Sequence, residues 1–351
     1  MTTSPSALLR PGSSPHILIA RPDAIGDVVL TLPVAGWLKR QLPGCRITFL
    51  GRSYTADLIQ ACHHVDEFVD ADELLSLTPD QQVARVRSLH LDVWLHVLPH
   101  RRLAWLALRA GVPLRVGTNR RWWHWLTANR LVPLSRRTSS LHEAELNLSL
   151  LTGIGIQHLP SLQEIPSLYG LTRIAPLPAG KSPLPPPGRL QIILHPKSRG
   201  SGREWPLDHF AALAQNLHRA GHQVLLTGTA AEGELIAHFR QANAPFLIDL
   251  VGQLTLSEML ALIQQADALV AAGTGPLHLA AALGRCAIGL FPLVRPIHPG
   301  RWGPLGPRAI ALTTPHRSSC SDCLNRPAAC HCLPEISPAQ VLAALLPAPT
   351  S

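Results

Sequence analysis

Residues 268–284 read Ala-Leu-Val-Ala-Ala-Gly-Thr-Gly-Pro-Leu-His-Leu-Ala-Ala-Ala-Leu-Gly. Ala268 to Ala272 form an apolar run of strand length, and Gly273 and Gly275 punctuate it. Pro276 stands where a helix tolerates proline, because an N–H at that place has no intrahelical partner. The stretch is a buried strand, a glycine turn and a helix. Backbone N–H groups at the helix start, the Thr274 hydroxyl and the side-chain-free Gly275 point together past the strand's carboxyl end, an arrangement that suits an anion. His278, a turn further on, is expected to pack or orient rather than act as an acid. One glycine-rich turn can also be a plain connection, so the rest of the chain has to decide.

Working outward, the same alternation fills both halves. His16 to Ala20 is a strand, and the loop from Arg21 to Asp27 leads into a helical pattern that runs to Gln41. Further strands are expected at 46–50, 67–69 and 93–97, with helices at 53–61, 79–89 and 103–110. Eight prolines between Pro160 and Pro187 keep the chain extended and mark a boundary. The alternation restarts at Gln191 and continues through strands at 223–226, 246–250 and 286–291. Ser257 is the expected cap of the 257–266 helix, and Ser337 with Pro338 starts the last one. Strands alternating with helices define an α/β protein with doubly wound parallel sheets. The expected organisation is a disordered tail over 1–15, a Rossmann-like domain over 16–156, a Pro-rich linker over 157–190, and a second Rossmann-like domain over 191–351. No internal repeat of 20–50 residues is evident. At 351 residues, with 46% apolar composition, the chain fits two such cores.

Charge narrows the partners. The formal net charge of +9 favours an acidic ligand or surface. No Asp or Glu occurs from Val93 to His142, where nine arginines between Arg101 and Arg137 are interleaved with Trp105, Trp122, Trp123 and Trp125. Tryptophan beside arginine suits the headgroup level of an anionic membrane; the competing reading is a solvated face over core tryptophans. Nucleic acid is not expected, since no helix-turn-helix, zinc-finger or RNA-binding signature accompanies the charge. The start of the chain lacks the apolar core of a signal peptide and no run reaches the length of a membrane span, so a cytoplasmic protein is expected, peripheral at the inner face of the membrane.

Three stretches carry a family resemblance: HILIARPDAIGDVVLTLP at 16–33, HPKSRGSGREWP at 195–206 and GTGPLHLAAALG at 273–284. In this order they resemble the motifs of glycosyltransferase family 9, the bacterial heptosyltransferases, over about residues 16–345. The resemblance implies a GT-B fold, two facing Rossmann-like domains with the active site in the cleft between them. It further implies inverting, metal-independent transfer of heptose from ADP-heptose to a lipopolysaccharide core or other phosphorylated glycolipid, with no cofactor. Asp27 matches the family's general base. Inversion does need one carboxylate to take the acceptor's proton, although a residue so placed could instead cap a helix. Gly26, Arg21 and Asp23 share its loop and are expected on the acceptor side. Lys197, Ser198 and Arg203, with Thr274, Gly275, Pro276 and His278, are expected around the donor diphosphate, where a cation and helix N–H groups stabilise the leaving charge. One position departs from the family pattern: the place of an Asp before the Thr-Gly of the donor turn is taken by Gly273, which leaves the donor sugar open.

Two acidic or sulfur-rich patterns suggest metals. Asp70-Ala71-Asp72 spells a metal-binding triplet of a different glycosyltransferase fold and is read as a solvated turn. Cys320, Cys323, Cys330 and Cys332 could hold a structural zinc, although one residue between the last pair is tighter than usual, so reduced loop cysteines are the alternative. Two further functions stay open: a nucleotide-sugar epimerase or hydrolase on the same scaffold, and a non-catalytic binder of nucleotide sugar or lipopolysaccharide.

Overall fold

The computed structural model describes residues 14–181, 184–200, 202–294, 297–314 and 331–346. Most of the expected 1–15 tail, and Cys320, Cys323 and Cys330 of the cysteine group, lie outside the described residues. The chain divides into two compact units between Arg173 and Ile174.

The first unit holds strands β1 (His16–Ala20), β2 (Arg46–Gly51), β3 (Glu67–Asp70), β4 (Val93–His96), β5 (Leu114–Thr118) and β6 (Arg130–Val132). They form one sheet in the order β3-β2-β1-β4-β5-β6, and every pairing is parallel. β1 is buried along its whole length, as a central strand covered by helices on both faces must be, which is why its sequence is continuously apolar instead of alternating. The second unit repeats the plan with β7 (Gln191–His195), β8 (Gln223–Leu226), β9 (Ile248–Asp249), β10 (Ala268–Ala272), β11 (Cys286–Leu290) and β12 (Ala309–Leu312), ordered β12-β11-β10-β7-β8-β9. The two orders are the same when the strands of each unit are counted from its start. This duplication exists in topology and not as a sequence repeat. Trp205, Phe210, Leu213 and Leu217 pack the second core together with Val341 and Leu345 of the closing helix, Pro338–Leu345.

Three local expectations change. The helix Leu256–Gln265 is capped by Thr255, whose side chain accepts from the Glu258 amide while Glu258 reaches back to the Thr255 N–H. That reciprocal box satisfies two end amides, which Ser257, inside the helix, cannot do. Residues 157–173 of the expected linker belong to the first unit: Ile165, Leu168 and Tyr169 are buried, and Trp37 donates its indole N–H to the His158 carbonyl at 3.1 Å. Proline keeps this segment from extending a sheet but does not stop its apolar side chains from packing. The Trp122–Thr127 helix and β6, neither expected, complete the far edge of the first sheet. Asp70 caps the Ala71–Ser76 helix, and Asp72 takes the Ser53 amide at 3.1 Å, in keeping with an acidic turn.

Candidate active site

In a doubly wound sheet, ligands sit beyond the carboxyl ends of the strands where the strand order reverses. That point lies between β1 and β4 in the first unit and between β7 and β10 in the second.

In the first unit, β1 delivers Arg21 to this edge, where its amide donates to the Leu50 carbonyl at 2.9 Å. A tight turn follows, closed by the Asp23 amide on the Arg21 carbonyl at 2.9 Å, and the helix Ile25–Val29 begins. Its N-cap is Ala24, with no side-chain cap bond, and Asp27 lies in the first turn. The capping reading of Asp27 therefore falls away. Its carboxylate, 20% exposed, pairs with the Arg21 guanidinium. Arg21 is 3% exposed and also meets Asp23 at 3.4 Å and Glu143 at 3.3 Å. Arg21 is thus paired with three carboxylates, and one of them is Asp27.

Behind this pair stands a buried polar network. Glu143, fully buried, takes the Arg136 Nε–H at 2.8 Å as well as Arg21. Arg136 also donates to the Asn147 Oδ1 at 2.8 Å. Asn147 in turn donates to the Leu30 carbonyl at 3.0 Å and the Thr31 hydroxyl at 3.1 Å, and Thr31 donates to the Asp27 carbonyl at 2.7 Å. The chain of bonds thus closes on the backbone that carries Asp27. Burial raises the Asp27 pKa above the ordinary carboxylate value; Arg21 opposes this, while Asp23 and Glu143 add to it. The carboxylate is in this way held more basic than a surface aspartate.

In the second unit, β7 and β10 are neighbours with Ala271 paired to His195, so the loop after His195 and the turn after Ala272 emerge side by side. A Cβ on Gly202 would lie 3.6 Å from the Gly273 amide. The expected donor residues Lys197, Ser198 and Arg203 are in this way brought to the same strand ends as Thr274, Gly275, Pro276 and His278. Thr274 is the N-cap of the helix Gly275–Ala282 by backbone geometry but makes no side-chain cap bond. Its hydroxyl is buried and has no hydrogen-bond partner among the described residues. An uncapped helix start with a buried hydroxyl beside it is a set of donors available to an anion. His278 is buried within the unit, in keeping with the packing role.

Glu204 was not anticipated. Its carboxylate pairs with Lys197 and accepts from the Ser198 amide at 3.0 Å and hydroxyl at 3.1 Å, fixing the loop at the cost of offsetting its cation. Trp205, next in sequence, anchors the loop by donating to the Ile336 carbonyl at 2.8 Å. Gly273 also gains a reason: a Cβ there would lie 2.8 Å from the Phe291 ring, which is itself buried and confined on its other side by Gly289. The missing carboxylate thus goes with a filled space. Phe291 and Glu204 carry no signal readable in sequence. Glu143 does, being the first acid after the acid-free stretch 93–142. Of the cysteine group, Cys332 is described and is buried against Val294.

Two Rossmann-like units of this strand order, one with an Asp27–Arg21 pair and the other with an uncapped helix start, have the architecture of the GT-B fold. The profile described as Glycosyltransferase family 9 (heptosyltransferase) matches residues 175–333. Lipooligosaccharide heptosyltransferase 2 of Haemophilus influenzae is 24% identical over 85% of this chain and 88% of its own length. Among solved structures, the E. coli ADP-heptose lipopolysaccharide heptosyltransferase II superposes with a TM-score of 0.73 at 22% identity, covering 94% of this chain and 98% of that one. The E. coli heptosyltransferase WaaC with ADP gives 0.70 at 19% identity, covering 93% and 98%. The family model thus matches within the second unit, and over most of its length the chain is similar to heptosyltransferases.

Proposed function

We propose that this protein transfers heptose or a closely related sugar from an ADP-sugar to a lipopolysaccharide core or similar phosphorylated glycolipid, with inversion at the anomeric carbon and without a metal. The observation that carries the reading is Asp27, a partly exposed carboxylate at the carboxyl end of β1, made more basic by burial and locked by Arg21. Asp27 takes the proton of the acceptor hydroxyl as its oxygen bonds to the anomeric carbon. The bond from that carbon to the β-phosphate oxygen breaks on the opposite face, and ADP leaves. The charge that develops on the diphosphate falls to the second unit: the Gly275–Ala282 helix start, the Thr274 hydroxyl, Lys197 and Arg203, a division of labour that preorganised donors perform well. The ADP moiety is supported by the relative solved with ADP, and the glycolipid acceptor by the name of the Haemophilus relative. Gly273, backed by Phe291, leaves the sugar less constrained than the nucleotide. A glycolipid acceptor would place the enzyme at the inner membrane surface.

Asp27→Asn tests this. Asn keeps the shape but not the basicity, so turnover should fall by about 10²–10⁴-fold while ADP binding holds. Near-normal turnover of Asp27→Asn on the accepted glycolipid sinks the assignment. A non-catalytic binder would show no turnover in either protein.

A further inference from the structure

The helix Trp122–Thr127 is amphipathic in the reverse sense. It turns His124 and Thr127, both fully buried, toward the unit, and presents Trp122, Trp125 and Leu126 outward, 57%, 63% and 60% exposed. These three lie at i, i+3 and i+4, which is one face of a helix. Large apolar side chains grouped in this way mark a surface meant to be covered. Hydrophobic collapse would have selected the opposite orientation, but the His124 ring is fixed inside by accepting the Thr118 amide at 3.0 Å.

What surrounds this face identifies its cover. The guanidinium of Arg101 stands 5.3 Å over the Trp122 ring, joining the face to the helix Arg101–Arg109, whose Arg101, Arg102, Trp105 and Arg109 are all exposed. A shallow groove there is lined by Pro79, Gln82, Arg101, Arg102, Trp105 and Arg109. Arg102 is braced by donating to the Leu75 carbonyl at 2.9 Å. Arg120 and Arg121 are exposed just before the aromatic face. Arg109 meets Asp80 at 3.6 Å; the segment 93–142 supplies no acid. An acidic protein partner would match the charge but leave a protruding Trp-Trp-Leu face without a groove to enter. A bilayer matches both, taking the rings at headgroup depth and the guanidiniums at lipid phosphates.

We propose that the Trp122–Thr127 helix and the adjoining basic face of Arg101–Arg109 form a docking surface for an anionic lipid bilayer, with Trp122, Trp125 and Leu126 entering the headgroup–acyl boundary and the arginines binding lipid phosphate. The contact is peripheral, as none of the described helices is long and apolar enough to cross a membrane. The proposal deepens the functional reading by giving the enzyme a way to lie on the surface that carries a glycolipid acceptor, yet its evidence is separate.

The test uses the full chain and vesicles of phosphatidylcholine alone or with 30 mol% phosphatidylglycerol, read by flotation and by tryptophan emission. Binding should appear with the anionic vesicles, with a blue shift, and weaken as salt rises. Each cation removed should weaken it by about fivefold, so the pair Arg101→Glu and Arg121→Glu should lose at least about 25-fold. Trp125→Ser with Leu126→Ser should weaken binding and reduce the blue shift to what Trp122 contributes, whereas Trp125→Phe should keep most binding. Equal binding to neutral vesicles, binding indifferent to both variant pairs, or capture by acidic peptide or nucleic acid in place of vesicles overturns the proposal. Transfer to a delipidated, water-soluble acceptor separates the two readings. The surface variants should keep it, while Asp27→Asn should lose it and still float with anionic vesicles.

Discussion

Replacing Glu143 by glutamine removes one negative charge from a fully buried position while keeping its size. Two cations then lose a carboxylate partner: Arg21, which retains Asp27 and Asp23, and Arg136, which retains Asn147. Removing one member of a buried ionic group costs about 3–5 kcal/mol, and the amide oxygen of glutamine still accepts a hydrogen bond, so the lower figure, about 3 kcal/mol, is expected. For a unit of this size that is a fall of about 6–12 °C in Tm. The second consequence concerns the base. Glu143 helps raise the Asp27 pKa and shares Arg21 with it; without that charge the Asp27 pKa falls, so the acid limb of kcat/KM should move to lower pH while the neutral-pH rate drops from weaker basicity. Calorimetry and a pH–rate profile on the same preparation read both effects. Adding Arg136→Met should recover part of the lost stability, because it removes a cation left under-compensated. A Glu143→Gln protein with unchanged Tm and an unmoved acid limb would refute the network.

Gly273→Ala and Gly273→Asp should both destabilise the second unit by about 1–3 kcal/mol, since the clash with Phe291 begins at Cβ; an unaltered Tm for Gly273→Ala would show that Phe291 yields. Glu204→Gln keeps an acceptor for Ser198 but frees the Lys197 charge, so ADP should bind more tightly, by up to about fivefold in calorimetric titration; weaker binding would mean that the anion itself organises the loop. His96 is buried between Trp94 and His124 with both ring nitrogens unpartnered among the described residues, and burial, then His124, Arg115 and His100, hold its pKa well below 6.5. Above that pH neither folded nor unfolded chain carries its proton; as pH falls below about 6.5 the unfolded chain takes one that the folded chain refuses, and stability is lost. His96→Phe should therefore raise Tm at pH 5 more than at pH 8, and an equal shift at both would remove His96 as the cause.

Much of this protein was legible as local chemistry. The apolar runs of β1, β7 and β10, the proline and glycines at 273–276 and the Asp27 loop state their conformations within a few residues, because strand burial, helix starts and turns depend on neighbours within one or two helical turns. The alternation of these signals was enough to indicate two α/β units, and three spaced motifs to indicate a glycosyltransferase family. What remained hidden rests on contacts between distant parts of the chain. Arg21 and Glu143 stand 122 residues apart, and nothing near either one says that they share a buried site or that Arg21 pairs with Asp27 there. Which strands become neighbours is likewise a matter of sheet order, so the meeting of Gly202 with Gly273 waited for β7 to pair with β10. The interleaved arginines and tryptophans located this surface but not which rings face out: an apolar helical stripe turns inward by default, and the His124 ring, held inside by the Thr118 amide, sets this helix the other way. Gly273 shows the same limit from the other side, because a glycine announces that a side chain is absent, whereas the Phe291 ring that occupies the space comes from just past the end of the neighbouring strand β11.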